Sequence, residues 1–549
     1  MMLSQSSPGK EKRWASASFV LFVFVLILGG LTVGDYGKTW DERFRFQGGD
    51  AKLSYYEELF SGEKPSVMSD SYPGLFDLPL ALAHKMFPDW GTRSQKGHLW
   101  SLCFGLLGLL AAWRTAARLG GERAGFWALA LLVATPRYYG HMFFNPKDIP
   151  LAGTYMLGVW ALVALFQKMP KVPWRAVVLV GFAAGLTMST RIAGFLLLVY
   201  FGLFAGLYLL FEYGYRALKN REDFEAKALG QDLLAWALRG AVSGLVALVP
   251  LLIFWPALHD NPFSQAGATA GNVQSFGWDG WVLMQGNFHQ AAELPFYYMP
   301  YWFLRTLPEL HLLLIAGCLC AAFVYLKRLR GKDWKVAPSW WMPISVLAFS
   351  SAFPLLYIYF TQPVLYDGMR HFLFALPPLV TAAALGMEFW LRRLAPRLCF
   401  LAQAVGLGVL ATVVIDMVSL HPYQYVYFNS VSGGLNEAYM RDETDYWGAS
   451  HKEAAEWLNS YVAESNPDEG RVFRVHQRYS RWMLQEHLDK ERFIMSKERE
   501  GADFFVSITR FNLHTSYPDA EIIHVVQRQG VPLCFVFALP AVDSEADED

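Results

Sequence analysis

Long runs of apolar residues restrict the fold of this chain more than any other feature of its sequence. Of its 549 residues, 54% are hydrophobic and 17% are charged, against a charged share of about 25% in soluble domains. A helix that crosses a bilayer needs about 17 to 25 mostly apolar residues, and roughly eleven segments meet this condition if short or tilted spans are allowed. The sequence therefore predicts a polytopic α-helical membrane protein with about eleven transmembrane helices. Their centres lie near Val25, Gly105, Leu131, Gly158, Ala183, Leu203, Gly244, Ala316, Ala348, Thr381 and Gly408.

Lysine and arginine residues lie in short loops that alternate with the apolar runs. Cytoplasmic loops carry an excess of these residues, so the basic loops predict one shared cytoplasmic face. They are Lys10–Arg13, Arg114–Arg123, Lys168–Arg175, Arg216–Arg221, Lys327–Lys335 and Arg392–Arg397. The connections between them face outward, among them the loops 35–96, 136–150 and 256–305. The formal net charge is -1 and the basic residues form no single patch, so no nucleic-acid partner is expected.

The pattern changes near residue 421, where a soluble segment of mixed structure follows the last apolar run. We expect four parts: a cytoplasmic N-terminus (1–14), a membrane domain (15–420), a small extracytoplasmic α/β domain (421–540) and a disordered acidic tail (541–549). In the third part, periodicity predicts a helix over Glu453–Val462 and strands over Arg471–His476 and Asp503–Thr509. It also predicts a hairpin of Ile522–Val526 and Leu533–Ala538 about Gln529-Gly530.

Two acidic motifs follow apolar runs on the outward side. Trp40-Asp41-Glu42 comes after the run Phe19–Leu31, and Asn145-Pro146-Lys147-Asp148-Ile149-Pro150 lies between two later runs. Carboxylates at a membrane surface are costly to desolvate, so they indicate catalysis or cation binding. The five cysteines are scattered and predict neither a disulfide nor a metal site.

These two motifs and three later segments resemble those of a known family. The later segments are Thr190-Arg191, Glu293–Tyr301 followed by Leu307-Pro308, and Arg370–Leu373 followed by Pro377-Pro378. The family is glycosyltransferase family 39, the protein O-mannosyltransferase and aminoarabinose transferase-like enzymes of the GT-C fold. The resemblance covers about residues 15 to 420, and the order of the motifs carries it. The chain lacks the central repeat domain of the eukaryotic mannosyltransferases, and its C-terminal segment differs from both kinds of relative, which leaves the acceptor open.

The resemblance implies transfer of a sugar from a polyprenyl-phosphate donor to a hydroxyl acceptor, which is a lipid, glycan or protein, on the outer face of the inner (plasma) membrane. It implies Asp41 as the general base, with Glu42 and Asp148 beside it, an inverting displacement and no cofactor. Because the leaving group is a lipid phosphate, cations are required to bind it. The candidates are Lys147, Arg191, Arg305 and Arg370. Candidate substrate-binding residues are His141, Asn145, Tyr297, Tyr298 and His371.

Each candidate also has a structural interpretation. Asp148 precedes a helix and can cap it, whereas Asp41 and Glu42 can be a solvated pair in a loop. The cations can be interfacial anchors, and Arg370 with His371 can mark the boundary of a span. Tyr297 and Tyr298 can belong to an interfacial aromatic belt, or they can stack on sugars. A lone histidine such as His141 is more often packed than bound to metal, so no metal is expected.

A transporter or flippase of lipid-linked sugars is the alternative from another class. Transporters place charges at the bilayer midplane within broken helices and contain repeated halves, whereas here the acids lie in outer loops. The sequence leaves open the sugar, the acceptor, the prenyl chain length and the oligomeric state.

Overall fold

A computed structural model describes residues 7–66, 72–214, 226–260, 277–329, 338–465 and 470–540, with isolated positions between 261 and 276. Each of the eleven predicted span centres lies in an α-helix. The α-helices up to residue 419 are Pro8–Thr32, Glu42–Ser61, Asp77–Met86, Arg93–Gly120, Glu122–Val133, Pro136–Phe144, Asp148–Phe166, Trp174–Met188, Leu196–Leu209, Ala226–Phe254, Tyr298–Thr306, Glu309–Leu329, Pro338–Thr361, Leu376–Leu391 and Pro396–Ser419.

Within the described residues, fewer helices are full spans than the sequence suggested. Eight are long and apolar enough to cross a membrane, or nine if Tyr298–Thr306 and Glu309–Val324, bent by 120°, form one span. The helix around Leu131 stops after 12 residues, because Thr135 precedes a proline and adopts an extended conformation. The helix around Ala183 has 15 residues, which span about 22 Å. The predicted class, a polytopic helical membrane protein with a small C-terminal α/β unit, is confirmed.

The helix Asp148–Phe166 lies at the centre of the bundle. Of its most apolar window, 83% is buried, against 17% for Pro8–Thr32 and 22% for Ala226–Phe254. Gly153 allows a close approach to the neighbouring helix, since a Cβ atom there would lie 2.2 Å from the Phe104 carbonyl oxygen. This tight packing fixes the position of Asp148, the first residue of the helix.

The basic loops meet at one end of the bundle. The Glu122 amide donates to Glu11 Oε2 at 2.8 Å, and Arg123 Nε lies 2.8 Å from Glu388 Oε2. Arg118 Nη1 donates to Gln167 Oε1 at 3.1 Å. The two acidic motifs lie at the opposite end, where the C-terminal unit packs. This is the sidedness that the alternation of basic loops predicts; the loop 216–221 and residues 330–335 of the loop 327–335 lie outside the described residues.

The C-terminal unit is a five-stranded mixed sheet with helices, of order β4-β3-β5-β7-β6. β3 is parallel to β4 and β5, whereas β7 is antiparallel to β5 and β6. Gln529 and Gly530, with φ of 51° and 76°, form the tight turn of the β6–β7 hairpin. The strands are β3 Phe473–His476, β4 Phe493–Ser496, β5 Phe504–Ile508, β6 Glu521–Arg528 and β7 Val531–Ala538, and the α-helices are Gly434–Ala438, His451–Ser465 and Arg481–Gln485.

All four predicted strands and the helix therefore appear where the sequence indicated them, whereas β4 was not predicted. A second hairpin, of β1 (Trp281–Met284) and β2 (Asn287–Gln290), was also not predicted. It lies in the loop 256–305 and contacts the C-terminal unit, because the Gly286 amide donates to the Arg441 carbonyl at 2.8 Å. The residues 541–549, expected to be a disordered tail, lie outside the described residues.

The segment between residue 421 and the helix His451–Ser465 packs into the membrane domain. Tyr425 and Trp447 are fully buried and contact the ring of His141. Residues on both sides of the expected boundary at 421 thus share one hydrophobic core, and the C-terminal unit forms part of the wall around the acidic motifs.

Candidate active site

Asp41 lies directly before the helix Glu42–Ser61 and is 4% exposed. Lys147 Nζ donates to its Oδ1 at 3.0 Å, and Arg370 Nη1 donates to its Oδ2 at 2.9 Å. Burial raises the pKa of the Asp41 carboxyl, but the two facing cations outweigh burial and hold that pKa well below its usual range. The two outer motifs therefore meet in space, and Asp41 is a carboxylate at neutral pH.

Asp148 is buried and pairs with a third cation, since Arg191 Nη2 lies 2.9 Å from its Oδ1. Its other oxygen accepts a hydrogen bond from Asn145 Nδ2 at 3.0 Å. Asn145 Oδ1 accepts from the amides of Lys147 and Asp148 at the start of the helix. Asn145 therefore caps the start of this helix. The Asp148 carboxylate makes no capping hydrogen bond to its own helix.

His141 extends this network toward the C-terminal unit. Its Nδ1 lies 3.1 Å from Asn145 Nδ2 and its Nε2 lies 2.9 Å from the Tyr446 hydroxyl. Burial lowers the pKa of His141 to about 3, so the ring is neutral at physiological pH. With Nδ1 accepting from the amide, Nε2 carries the proton and donates to Tyr446. Among the described residues, no group of three His, Cys, Asp or Glu side chains is arranged to hold a metal ion.

Glu42 faces away from the cations of Asp41. Its Oε1 accepts from the Thr39 amide at 2.7 Å and hydroxyl at 3.0 Å, and lies 3.2 Å from His98 Nε2. These contacts hold the turn before the helix, so the geometry of Glu42 favours positioning the loop over contact with a substrate.

A cluster of positive charge surrounds Tyr72 next to Asp41 and Asp148. The guanidinium of Arg45 lies 4.5 Å from the centre of the Tyr72 ring, and Lys147 Nζ lies 5.6 Å from it. Three cations lower the pKa of the Tyr72 hydroxyl against the effect of burial: Arg191, Lys147 and Arg45. A cavity of about 220 Å³ opens here, lined by Arg45, Tyr72, Pro73, Phe76, Asp77, Pro146, Lys147, Pro150 and Thr190. Arg45 and Tyr72 were not predicted, although Arg45 follows Asp41 by one helical turn.

Other predicted residues lie elsewhere or beside the centre. Arg305 pairs with Asp442, with 2.9 Å between Nη2 and Oδ2, and the Tyr297 hydroxyl donates to Gln285 Oε1 at 3.2 Å. Both lie around the β1–β2 hairpin. Tyr298 is buried and donates to the Gly368 carbonyl at 3.1 Å. His371 Nε2 lies 3.3 Å from Arg370 Nε, at the edge of the Asp41 site.

Asp367, which the sequence did not single out, connects Arg370 to the C-terminal unit. Its Oδ2 accepts from Trp447 Nε1 at 2.9 Å and lies 3.5 Å from Arg370 Nη1. Its Oδ1 accepts from Arg510 Nη2 at 2.7 Å. Asp367 has a φ of 58°, which is uncommon for a residue other than glycine. The only signal in the sequence was the turn dipeptide Asp367-Gly368 before Arg370.

Comparison with known proteins supports the family resemblance. Residues 73–230 match the family model of dolichyl-phosphate-mannose-protein mannosyltransferases. The resemblance predicted from the sequence is confirmed over that segment, which contains Lys147, Asp148 and Arg191 but neither Asp41 nor Arg370. No curated protein sequence is significantly similar to the chain.

Three solved structures are among those to which this chain is similar. ArnT from Cupriavidus metallidurans in the apo state is 15% identical with a TM-score of 0.49, covering 95% of this chain and 98% of its own. The archaeal oligosaccharyltransferase AglB from Archaeoglobus fulgidus, in complex with an inhibitory peptide and a dolichol-phosphate, is 12% identical with a TM-score of 0.46, covering 91% and 70%. The S. cerevisiae protein O-mannosyltransferase Pmt1-Pmt2 complex bound to the sugar donor is 17% identical with a TM-score of 0.35, covering 47% and 35%.

Proposed function

We propose that this chain transfers a sugar from a polyprenyl-phosphate-linked donor to a hydroxyl acceptor at the membrane surface where Asp41 and Asp148 lie. The observation that carries the proposal is the pairing of Asp41 with Lys147 and Arg370, beside a segment that matches membrane mannosyltransferases. In this pairing, each of the two candidate phosphate ligands, Lys147 and Arg370, donates a hydrogen bond directly to the candidate base, Asp41.

The cations suit a lipid phosphate as the leaving group. Lys147 and Arg45 line the cavity of about 220 Å³ together with Tyr72. Arg191 lowers the pKa of the Tyr72 hydroxyl, so its positive charge also reaches this cavity. A phosphate in this cavity is stabilised by charge-assisted hydrogen bonds, and an arginine offers two parallel donors. A leaving phosphate stabilised in this way needs no proton, so no general acid is required.

Asp41 is a weak base while both cations hold it, because its pKa lies well below the usual range. A donor phosphate competes for the same Lys147 and Arg370 donors. When these turn to the phosphate, the carboxylate loses its stabilisation and its pKa rises toward that of an ordinary acid. We infer an ordered reaction in which binding of the donor activates the base.

In the reaction, the acceptor oxygen attacks the anomeric carbon while the bond from that carbon to the phosphate oxygen breaks. The phosphate leaves with the electron pair, and Asp41 takes the proton of the acceptor hydroxyl. A single displacement inverts the anomeric configuration and uses no second protein nucleophile. The ion pair with Asp148 keeps the Arg191 guanidinium near the phosphate.

We infer that the end of the bundle with this site faces away from the cytoplasm of an inner or plasma membrane. The support is that the loops rich in lysine and arginine lie at the other end, because cytoplasmic loops carry an excess of these residues.

Deletion and complementation test the proposal. Envelope glycans, lipids and glycoproteins are compared by mass spectrometry in the parent strain and in a deletion strain that carries the intact chain, Asp41→Asn or Asp50→Asn. Asp50 is the matched control, an exposed carboxylate on the helix Glu42–Ser61 that is also paired with an arginine, Arg93. The deletion and Asp41→Asn should lack the same sugar-sized mass increment, which Asp50→Asn restores. An unchanged envelope, or full restoration by Asp41→Asn, would contradict the proposal.

A further inference from the structure

A second cavity, of about 350 Å³, lies between the β1–β2 hairpin and the C-terminal unit. It is separate from the cavity with Lys147 and has no residue in common with it. Its wall combines acids, hydroxyls and large apolar side chains: Leu283, Phe288, Met440, Asp442, Glu443, Thr444, Asp445, Tyr446, Thr509, Arg510 and Phe511.

Glu443 distinguishes this cavity from an ordinary surface cleft. It is 5% exposed, and within the described part of the chain its polar surroundings are sparse: the backbone of Asp367 is near enough to act on the carboxyl, but neither oxygen meets strict hydrogen-bond geometry. The closest cationic atom is Arg510 Nη2, at 3.7 Å from Oε1. Its neighbour Asp445, in contrast, accepts from the Ser450 amide and from Gly448. A buried carboxyl with unsatisfied oxygens lowers the stability of the folded chain, so the Glu443 carboxyl is open to a bound group that offers hydrogen-bond donors.

The backbone around the cavity is also strained. Met440 and Phe511, which line it, have φ of 58° and 55°. The adjacent residues Gln285 and Asn512 have φ of 55° and 56°. Side chains other than glycine rarely adopt this region, and such residues concentrate at functional sites. Of the seven non-glycine residues with positive φ in the described chain, Met440 and Phe511 line this cavity, and Asn512 follows Phe511.

Two hydrogen-bond chains lead from its wall to the acids of the candidate active site. Tyr446 contacts His141, which contacts Asn145 and thereby Asp148. Arg510 donates to Asp367, which lies beside Arg370, the partner of Asp41. The cavity wall is thus connected through hydrogen bonds and ion pairs to both Asp148 and Asp41.

We propose that this cavity binds a sugar residue of the acceptor, so that the acceptor is a glycan or glycolipid. This inference rests on the proposed function and adds the class of acceptor. Sugar hydroxyls donate to the Glu443 oxygens and exchange hydrogen bonds with Thr444 and Thr509. The C–H face of a sugar ring packs on Phe288 or Phe511. An anion is disfavoured, because the wall carries three acids and its one cation, Arg510, is already paired with Asp367.

Saturation-transfer NMR on the purified full chain tests the inference. The probes are the methyl glycosides of mannose, glucose, galactose and N-acetylglucosamine, with inorganic phosphate as the anionic comparison. At least one glycoside should bind with a Kd on the order of millimolar. Glu443→Leu, which removes both oxygens at similar size, should weaken that binding about tenfold. Glu464→Leu, at an exposed acid of the same unit, should leave the glycoside Kd within a factor of about two.

Two further measurements separate the possible failures. Undecaprenyl phosphate binding should be the same in the parent and Glu443→Leu; its absence in the parent would overturn the proposed function and leave the glycoside result standing. The melting temperature of Glu443→Leu should be equal or higher, because an unpartnered acid has been removed. If that variant does not fold, Thr444→Val with Thr509→Val removes the cavity hydroxyls instead. Absence of glycoside binding to the parent, equal binding to the cavity variants, or phosphate in place of the glycosides would overturn the inference.

Discussion

The Arg510 guanidinium, on the C-terminal unit, donates a 2.7 Å hydrogen bond to Asp367, on the loop that carries Arg370. Asp367 in turn lies 3.5 Å from the Arg370 nitrogen that holds Asp41. The C-terminal unit therefore takes part in positioning the candidate base, although it contributes no atom within hydrogen-bond distance of Asp41 in the described part of the chain.

Replacing Arg510 by glutamine should reduce turnover without abolishing donor binding. A misplacement of Arg370 by about 1 Å can lower the rate about 10²-fold, whereas Lys147 still holds the phosphate. Sugar transfer and undecaprenyl phosphate affinity are measured together, with Arg478→Gln as the control because Arg478 makes only an exposed contact with Ser516. A loss of affinity equal to the loss of turnover would contradict a positioning role.

Asp41→Asn should lower turnover and strengthen donor-lipid binding at the same time. Loss of a positioned base lowers rates by about 10² to 10⁴. Donor-lipid binding should become stronger because Lys147 and Arg370 no longer have to break an ion pair with a carboxylate before they bind the phosphate. Purified protein supplies both quantities, as transfer rate and undecaprenyl phosphate Kd. Glu42→Gln is the matched comparison, and it should retain most turnover because Glu42 contacts Thr39 and His98 instead. Weaker lipid binding by Asp41→Asn would exclude competition for the cations.

Arg191 and Arg305 should differ in their effect on donor affinity. Both arginines are paired with a buried aspartate, but Arg191 also lies near Tyr72, which lines the cavity with Lys147, and lowers the pKa of its hydroxyl. Arg191→Ala should weaken undecaprenyl phosphate binding about tenfold or more, and Arg191→Lys should restore part of it because the planar fork is lost. Affinity in detergent, where lipid headgroups do not contribute, is the measurement. Equal effects of Arg191→Ala and Arg305→Ala would place the phosphate elsewhere.

Glu443 should make stability depend on pH. Burial raises the pKa of Glu443 to about 8, against about 4.3 in an unfolded chain. Between these values the folded state keeps a proton that the unfolded state has lost, so the free energy of unfolding falls as pH rises, by about 1.4 kcal/mol per unit. Glu443→Gln cannot ionise, and its melting temperature relative to the parent should rise from pH 5 to pH 8. Thermal unfolding at both pH values checks this, with Glu464→Gln as the control; a constant difference would mean that Glu443 is ionised when folded.

Reporter fusions should read cytoplasmic after Arg118 and Arg393 and external after Ser54 and Ser450. The reason is the separation of the basic loops from the two acidic motifs by the length of the bundle. Alkaline phosphatase and green fluorescent protein give opposite signals on the two sides, so each position serves as its own control. A cytoplasmic signal after Ser450 would reverse the proposed orientation.

Local patterns predicted much of this molecule. Apolar runs located the helices, and the dipeptide Gln529-Gly530 located the β6–β7 hairpin. The same dipeptide at Gln285-Gly286 marked the unpredicted β1–β2 hairpin, where flanking residues alternate less clearly. The order of the acidic motifs brought together Asp41, Lys147 and Asp148, because each follows a helix end on one side of the membrane.

Other parts of the site depend on contacts that no local pattern encodes. Arg510 and Asp367 are 143 residues apart in sequence. The residues around each of them indicate only a turn, so no local pattern predicts that the two side chains pair. Arg305 carries the same charge as Arg191 and was likewise predicted in an outer loop, yet packing directs it to Asp442. Glu42 is adjacent to Asp41, but the start of a helix turns successive side chains by about 100°, which directs it to His98.

The close packing of Gly153 against the Phe104 carbonyl has a consequence for how the candidate site can respond to a bound lipid phosphate. A helix seated in this way cannot slide or rotate without steric overlap, so Asp148 and the start of its helix form a fixed reference point. Adjustment to an incoming lipid phosphate then falls to the ends of long side chains, above all Lys147, whose rotamers exchange within picoseconds to nanoseconds where they are free to move. The candidate active site is thus a rigid frame with mobile charges, in which recognition of a lipid phosphate requires movement of side chains but no rearrangement of the bundle.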